Sequence, residues 1–298
     1  MPSWVFIAIV GYFLGALTKV FDKVLLRSVV REPILFTFFT CIVSAFVLLL
    51  LPFGFEPVAA DVAASAFGAG IAFVASLFFF FLALKKFEIS RVVPLVAGIA
   101  PSITFVLSYV FLGERLGEVG TLAVIALIAG GALLSVDLSS RAKFRVDLFI
   151  PAFASSFLLG IYFILTKFVF AGTSFINGFL WSRMGILAAA LILILLPGFF
   201  EKMRAARMPR PKNIVFFFLN KCLGALSLFG VSYALANGQT SIVHALGGFE
   251  YVSAFILSIL LSGFMPRIFT EEKSPSSLAV KFFGTLLLSL SLMLLYIS

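Results

Sequence analysis

Charge is scarce in this sequence. Only 12% of its 298 residues are Asp, Glu, Lys or Arg, against roughly 25% in a soluble domain. Hydrophobic residues make up 62%. A chain of that composition has too few polar groups to clothe a water-soluble surface, so it reads as an integral membrane protein. Cysteine is scarce too. Cys41 and Cys222 stand singly in apolar runs, which argues against a disulfide framework or a cysteine-based metal site. Histidine occurs once, as His244. No His/Cys/Asp cluster, no paired intramembrane carboxylates at helical spacing and no supported Ser–His arrangement is present. Gly68 and Gly70 lie in an apolar helix, outside the strand–turn–helix setting of a phosphate-binding loop. The chain therefore reads as no enzyme, and no cofactor or metal is expected. The net charge of +9 does not imply a nucleic-acid partner, because Lys and Arg of membrane proteins gather on the cytoplasmic side.

What is abundant is long apolar sequence. A helix needs about 20 apolar residues to cross the hydrocarbon core, and helices keep every backbone group paired in lipid. Ten such runs are expected: 4–21, 33–51, 62–84, 92–112, 117–136, 148–171, 175–196, 214–236, 240–264 and 278–297. No basic residue precedes Trp4 and no small-residue cleavage site follows it, so the first run is expected to be a retained helix. Loops between runs are short. The odd-numbered loops carry seventeen Lys and Arg, from Lys23, Arg27 and Arg31 in the first to Arg267, Lys273 and Lys281 in the ninth. The opposite side holds Arg115. The seventh loop, EKMRAARMPRPK, is the strongest contributor. This imbalance predicts odd loops in the cytoplasm and both termini outside.

The chain repeats itself weakly. FVLS at 105–108 recurs as FILS at 255–258, LAL at 82–84 as YAL at 233–235, and Thr18-Lys19 as Thr166-Lys167. Ser90 and Val92 recur as Ser241 and Val243. Five helices per half is an odd number, so the second copy enters from the opposite side. That is an inverted repeat, the plan of many secondary transporters, with a site near the midplane between halves. Two five-helix units are expected, 1–137 and 148–298.

Residues 90–135, SRVVPLVAGIAPSITFVLSYVFLGERLGEVGTLAVIALIAGGALLS, resemble the EamA-type branch of the drug/metabolite transporter superfamily. Members carry a proline in the first half of the fourth helix, here Pro101. A Leu-Gly-Glu-Arg-Leu segment ends that helix, here Leu112, Gly113, Glu114, Arg115 and Leu116. Small residues follow near the end of the next helix, here Gly130-Gly131. A second-copy Leu-Glu-Pro-Val becomes Phe249-Glu250-Tyr251-Val252, which keeps the acid and loses the proline. The resemblance implies an all-α membrane fold of ten helices in two inverted five-helix repeats around a central cavity. Members usually place both termini in the cytoplasm, the reverse of what the charge count predicts here.

Charges inside the spans are the natural candidates for function, since each costs about 2.5–3.5 kcal/mol at a helix centre. Lys19, Lys167, Arg183 and Lys221 are the cations there, and Glu250 is the acid. Lys19 and Lys167 stand near helix ends and could snorkel to water. Their matching places in the two repeats also suggest a cavity role. Arg183 and Glu250 lie about 13–15 Å below their helix ends, where an opposite charge is the natural partner. They read either as cavity residues or as a structural ion pair. Lys221 is a weaker partner for Glu250, being offset by about 7 Å along antiparallel helices. Asn220 reads equally as cavity wall or as packing. His244 reads chiefly as a polar tip, with a proton relay as the alternative. Tyr251 is a further candidate beside Glu250. The 39 phenylalanines read as lipid-facing and packing residues.

Four intramembrane cations against one acid point to an organic anion, or a zwitterion with a carboxylate or phosphate. Arg183 and Lys221 would bind the anionic group, and Glu250 an amine or a coupling proton. The expected partners are thus a small-molecule substrate, the lipid bilayer of the cytoplasmic membrane, and a coupled proton or ion. The expected activity is secondary transport by alternating access. A flippase for a lipid or lipid-linked carrier is the alternative. A membrane scaffold is a third reading.

Overall fold

The computed structural model describes residues 3–87, 89–115, 117–135, 146–206 and 211–263, with isolated positions 283, 284, 287, 290, 291 and 294 beyond them. Every regular element among the described residues is helical. The long apolar runs dictate this, because a helix satisfies its own backbone in lipid.

Helix α1 (Ser3–Ser28) runs seven residues past the apolar run that predicts it. No Gly or Pro intervenes before Pro33, and Lys19, Asp22 and Lys23 continue the helical spacing. Helix α2 (Pro33–Ile42) starts on Pro33, where a missing N–H costs nothing, and passes into a 3₁₀ helix, Val43–Phe53. Helix α3 is Ala60–Lys86. Helix α4 (Ile89–Leu107) ends in a π-helical turn, Ser108–Leu112. Gly113 stops it in the left-handed region (φ 64°), a conformation glycine adopts without a Cβ clash.

Helix α5 is Glu118–Ser135 and α6 is Val146–Gly172. Helix α7 (Phe175–Ile192) closes with a short 3₁₀ turn, Leu193–Leu195. The small α8 (Phe199–Ala205) carries Glu201, Lys202 and Arg204. Helix α9 is Pro211–Asn237. The expected run 240–264 needs correction: it is not one helix. It breaks at Gly247 into α10 (Thr240–Leu246) and α11 (Gly248–Ser262). The expected tenth run lies outside the described residues apart from the isolated positions.

Among the described residues, five helical stretches are long and apolar enough to cross a membrane: Ser3–Leu26, Ala60–Lys86, Val146–Gly172, Phe175–Leu195 and Pro211–Asn237. Pro33–Leu49 and Gly98–Leu112 are shorter apolar helices. Helix α3 packs on α6 and α7, α1 on α9 and α11, and α4 on α5 and α6. Small residues permit the tightest crossing. A Cβ on Gly70 would fall 2.1 Å from the Gly185 carbonyl carbon, and one on Gly185 2.2 Å from Ala66 O. Close approach through small residues is the usual basis of helix association in lipid.

Candidate functional site

A cavity of about 730 Å³ opens between these helices. One face of α1 lines it with Tyr12, Gly15, Lys19 and Asp22, a spacing of three and four that puts them on one stripe. Arg183 comes from α7, Lys221 from α9, His244 from α10 and Glu250 from α11.

Lys19 and Glu250 form an ion pair at 2.9 Å, both side chains partly exposed to the cavity. Gly15 makes room for it: a Cβ there would lie 2.2 Å from Glu250 Oε1. The expectation that Arg183 or Lys221 would partner Glu250 is therefore corrected. Lys221 pairs instead with Asp22, at 2.5 Å. Asn220 Nδ2 donates to the same Asp22 oxygen at 2.7 Å. The rings of Phe36 and Phe217 flank the Lys221 ammonium at 4.6 and 5.1 Å, so some phenylalanines do wrap a cation. All three polar groups are at least 96% buried. A charge so deep persists only if paired and hydrogen-bonded, as here.

Arg183, 4% exposed, donates to Tyr162 Oη at 3.1 Å and stands 4.9 Å from the Phe179 ring centroid. Its Nε is buried without a hydrogen-bond partner. Among the described residues no carboxylate pairs with it. His244 stacks flat on Phe163 at 4.0 Å, and its Nδ1 meets Thr104 Oγ1 at 2.5 Å. Both neighbours hold the ring in place.

The break at Gly247 has a local cause and a local remedy. Gly247 N–H bonds His244 O three residues back rather than closing a full α turn on Val243. Tyr12 Oη donates to the Val243 carbonyl at 2.7 Å. Broken helices at membrane depth are tolerated where such partners or a cavity meet the freed backbone.

Other expected site residues stand elsewhere. Lys167 lies outside the cavity and donates to Leu235 O (2.9 Å) and Gly238 O (2.7 Å) at the C-terminal end of α9. Lys23, expected in a loop, is 1% exposed within α1 and donates to Leu84 O and Phe87 O at the end of α3. Pro101 is buried in α4, and Arg115 is exposed, 6.0 Å from the Tyr109 ring centroid. The left-handed turn at Gly113 sends Glu114 across to α10. There its carboxylate accepts from Thr240 N (2.7 Å), Ser241 N (3.1 Å) and Ser241 Oγ (3.0 Å). It is an N-cap supplied from a distant segment, favoured by the positive end of the helix dipole. The side chain of Tyr251 lies outside the described residues.

Sequence reasoning missed Asp22 by ending the first helix one residue before it. Its signal was the Lys19–Asp22–Lys23 spacing, which continues a helix rather than starting a loop.

A bundle of apolar helices around an internal cavity lined by ionic side chains defines a polytopic membrane protein with a polar hollow in its interior. Residues 2–136, a little under half of the chain, match the EamA-like transporter family. A solved structure titled only "Crystal structure of protein" aligns with 98% of this chain and 94% of its own, at a TM-score of 0.66 and 18% identity. That likeness concerns the fold alone. Comparison with the curated proteins found no match.

Proposed function

We propose that the chain is a secondary transporter that moves a small organic anion or zwitterion across the cytoplasmic membrane by alternating access. The observation that carries this reading is Arg183. Among the described residues the cavity holds three cations, Lys19, Arg183 and Lys221, against two carboxylates, Asp22 and Glu250. Two cations have their acids, and the surplus falls on Arg183. A guanidinium with a buried free donor suits a carboxylate, phosphate or sulfonate, which it grips through parallel bonds. Glu250, paired with Lys19 of α1, is the group we assign to an amine of the substrate or to a coupling proton.

The architecture in this reading is ten helices in two inverted repeats, residues 1–137 and 148–298. Its support is a recurring lysine clamp. Lys23 of α1 binds carbonyls 84 and 87 at the end of α3, and Lys167 of α6 binds carbonyls 235 and 238 at the end of α9. The spacing is the same, and Leu84 and Leu235 are equivalent positions of the LAL/YAL recurrence. In this alignment Lys23, rather than Lys19, corresponds to Lys167.

The test is uptake of small organic anions into proteoliposomes by the wild type, Arg183→Gln and Glu250→Gln, each checked for unchanged helicity and reconstitution. Loss of saturable uptake in Arg183→Gln is the expected result. Uptake unchanged in both variants overturns the reading.

A further inference from the structure

We infer that the cavity admits its substrate sideways from the bilayer, through a seam between the 3₁₀ segment Val43–Phe53 and α9, and that this substrate is an anionic amphiphile with one apolar tail. The inference rests on the reading of the cavity as a transport site and narrows its substrate class.

Four residues lead to it. Phe46 of the 3₁₀ segment and Phe218, Leu226 and Phe229 of α9 all line the cavity. The same four are 55%, 43%, 59% and 45% exposed. Residues that line the cavity and also carry this much exposed surface mark a side on which it is not enclosed. Positions 218–229 occupy the middle of the 27-residue α9, at the depth of the hydrocarbon core. A mouth toward water would be rimmed by polar groups, whereas this one is rimmed by phenylalanine and leucine. One edge-to-face ring contact stands across it, Phe46–Phe218 at 5.6 Å, and a second, Phe179 of α7 with Phe229 at 5.1 Å, joins α7 to α9.

The seam leads to the free cation. Phe229 touches Phe179, and Phe179 lies against the Arg183 guanidinium. An amphiphile sliding between the rings would bring its head to Arg183 while its tail stayed on the aromatic rim. The bordering element is built to yield. Runs of 3₁₀ helix beyond about four residues are uncommon because their hydrogen bonds are poorly aligned, and this one extends over 11 residues.

Alkylsulfonates are the probes, since they stay charged and do not cross bilayers as neutral acids. Binding of butane-, hexane- and octanesulfonate to the purified full chain is measured by calorimetry. Affinity should rise by about fourfold per added methylene, and Arg183→Gln should weaken every member. A flat series that still depends on Arg183 overturns the amphiphile while leaving anion transport standing. No binding of any member, with Arg183→Gln indistinguishable from wild type, overturns both readings.

The seam is tested in a Cys41→Ala, Cys222→Ser background carrying Phe46→Cys and Phe218→Cys. Octanesulfonate uptake into phosphatidylcholine vesicles is compared before and after bridging the two thiols with a short bis-maleimide. The same folded protein serves as its own control. At least a tenfold loss for octanesulfonate, with butanesulfonate uptake within twofold, is the expected result. An equal effect on both probes, or none on either, overturns the side opening.

Discussion

Four lysines inside the bundle, two buried and two partly buried, divide into two kinds. Lys23 and Lys167 point at the carbonyl ends of α3 and α9. Lys19 and Lys221 point at carboxylates inside the cavity. A carbonyl end carries only the partial charge of a helix dipole and has unsatisfied acceptors whatever the protein does. A lysine there is a bolt. A carboxylate is a full charge that a substrate, a proton or a second cation can also satisfy, so a lysine paired to it can be exchanged. In the proposed reading, the difference separates the charges that hold the bundle together from those free to take part in transport. Arg183, with no acid among the described residues, falls at the far end of the second kind.

The largest expected effect comes from breaking a cavity pair that is fully buried. Lys221→Met leaves the buried Asp22 without its counter-charge, and should cost about 3–5 kcal/mol, read as a large fall in melting temperature of the detergent-solubilised protein. The double variant Asp22→Asn, Lys221→Met removes both charges and should recover most of that loss. If the double variant melts no higher than the single one, the pair is not what the lysine serves, and the two kinds of lysine are not distinguished by their partners.

Glu250→Gln sharpens the comparison in the other direction. Its ion pair with Lys19 is partly exposed to the cavity, so water can take over the lysine and the loss of stability should stay within about 1 kcal/mol. Uptake should nevertheless fall at least tenfold. A variant that loses melting temperature and keeps its transport would move Glu250 to the structural class.

The helix-end lysines should show the reverse pattern. Lys23→Met and Lys167→Met each free two carbonyls, at a cost of about 1–3 kcal/mol from charge-assisted bonds. The Lys23 site, deeper than that of Lys167, should lie at the upper end. Anion affinity, measured by calorimetry, should stay within twofold of wild type in both. A tenfold fall in affinity for either would make it a cavity residue after all.

Much of this was legible from hydropathy, for a physical reason. The cost of unpaired backbone in lipid makes helix the default over any long apolar run, so α3, α6, α7 and α9 lie where their runs stand. Hydropathy is blind to what happens inside a run. The break between α10 and α11 depends on Gly247 and on Tyr12, whose hydroxyl donates to the Val243 carbonyl, 231 residues away in the chain. Asp22 was lost for the opposite reason: a run is ended at its first polar cluster, yet α1 continues through it. Charged positions were found and their partners were not. Depth along a helix is readable from a sequence, but which helix faces which is a matter of packing among small residues such as Gly15, Gly70 and Gly185.

Glu114 gives the smallest effect and the finest test. It belongs with the helix-end lysines in kind, since it satisfies a terminus rather than a substrate, but it serves the positive end of α10. The resemblance to the EamA-type pattern singles out Gly113 and Glu114 without saying why they are adjacent. The structure supplies the reason: the left-handed glycine turns the chain so that the next side chain reaches Thr240 and Ser241. Glu114→Ala should cost about 1 kcal/mol, the usual worth of a cap, and Glu114→Gln should keep part of it through the remaining acceptor oxygen. Since α10 leads directly into the Gly247 break, fraying its first turns should loosen His244 from Phe163. The ring resonances of His244, labelled by isotope and followed by NMR, would shift or broaden in Glu114→Ala and hold in Glu114→Gln. An unchanged imidazole in both variants would mean that α10 is held by its polar contacts with α4, Thr104 to His244 and Ser108 to Ser241, and not by its cap.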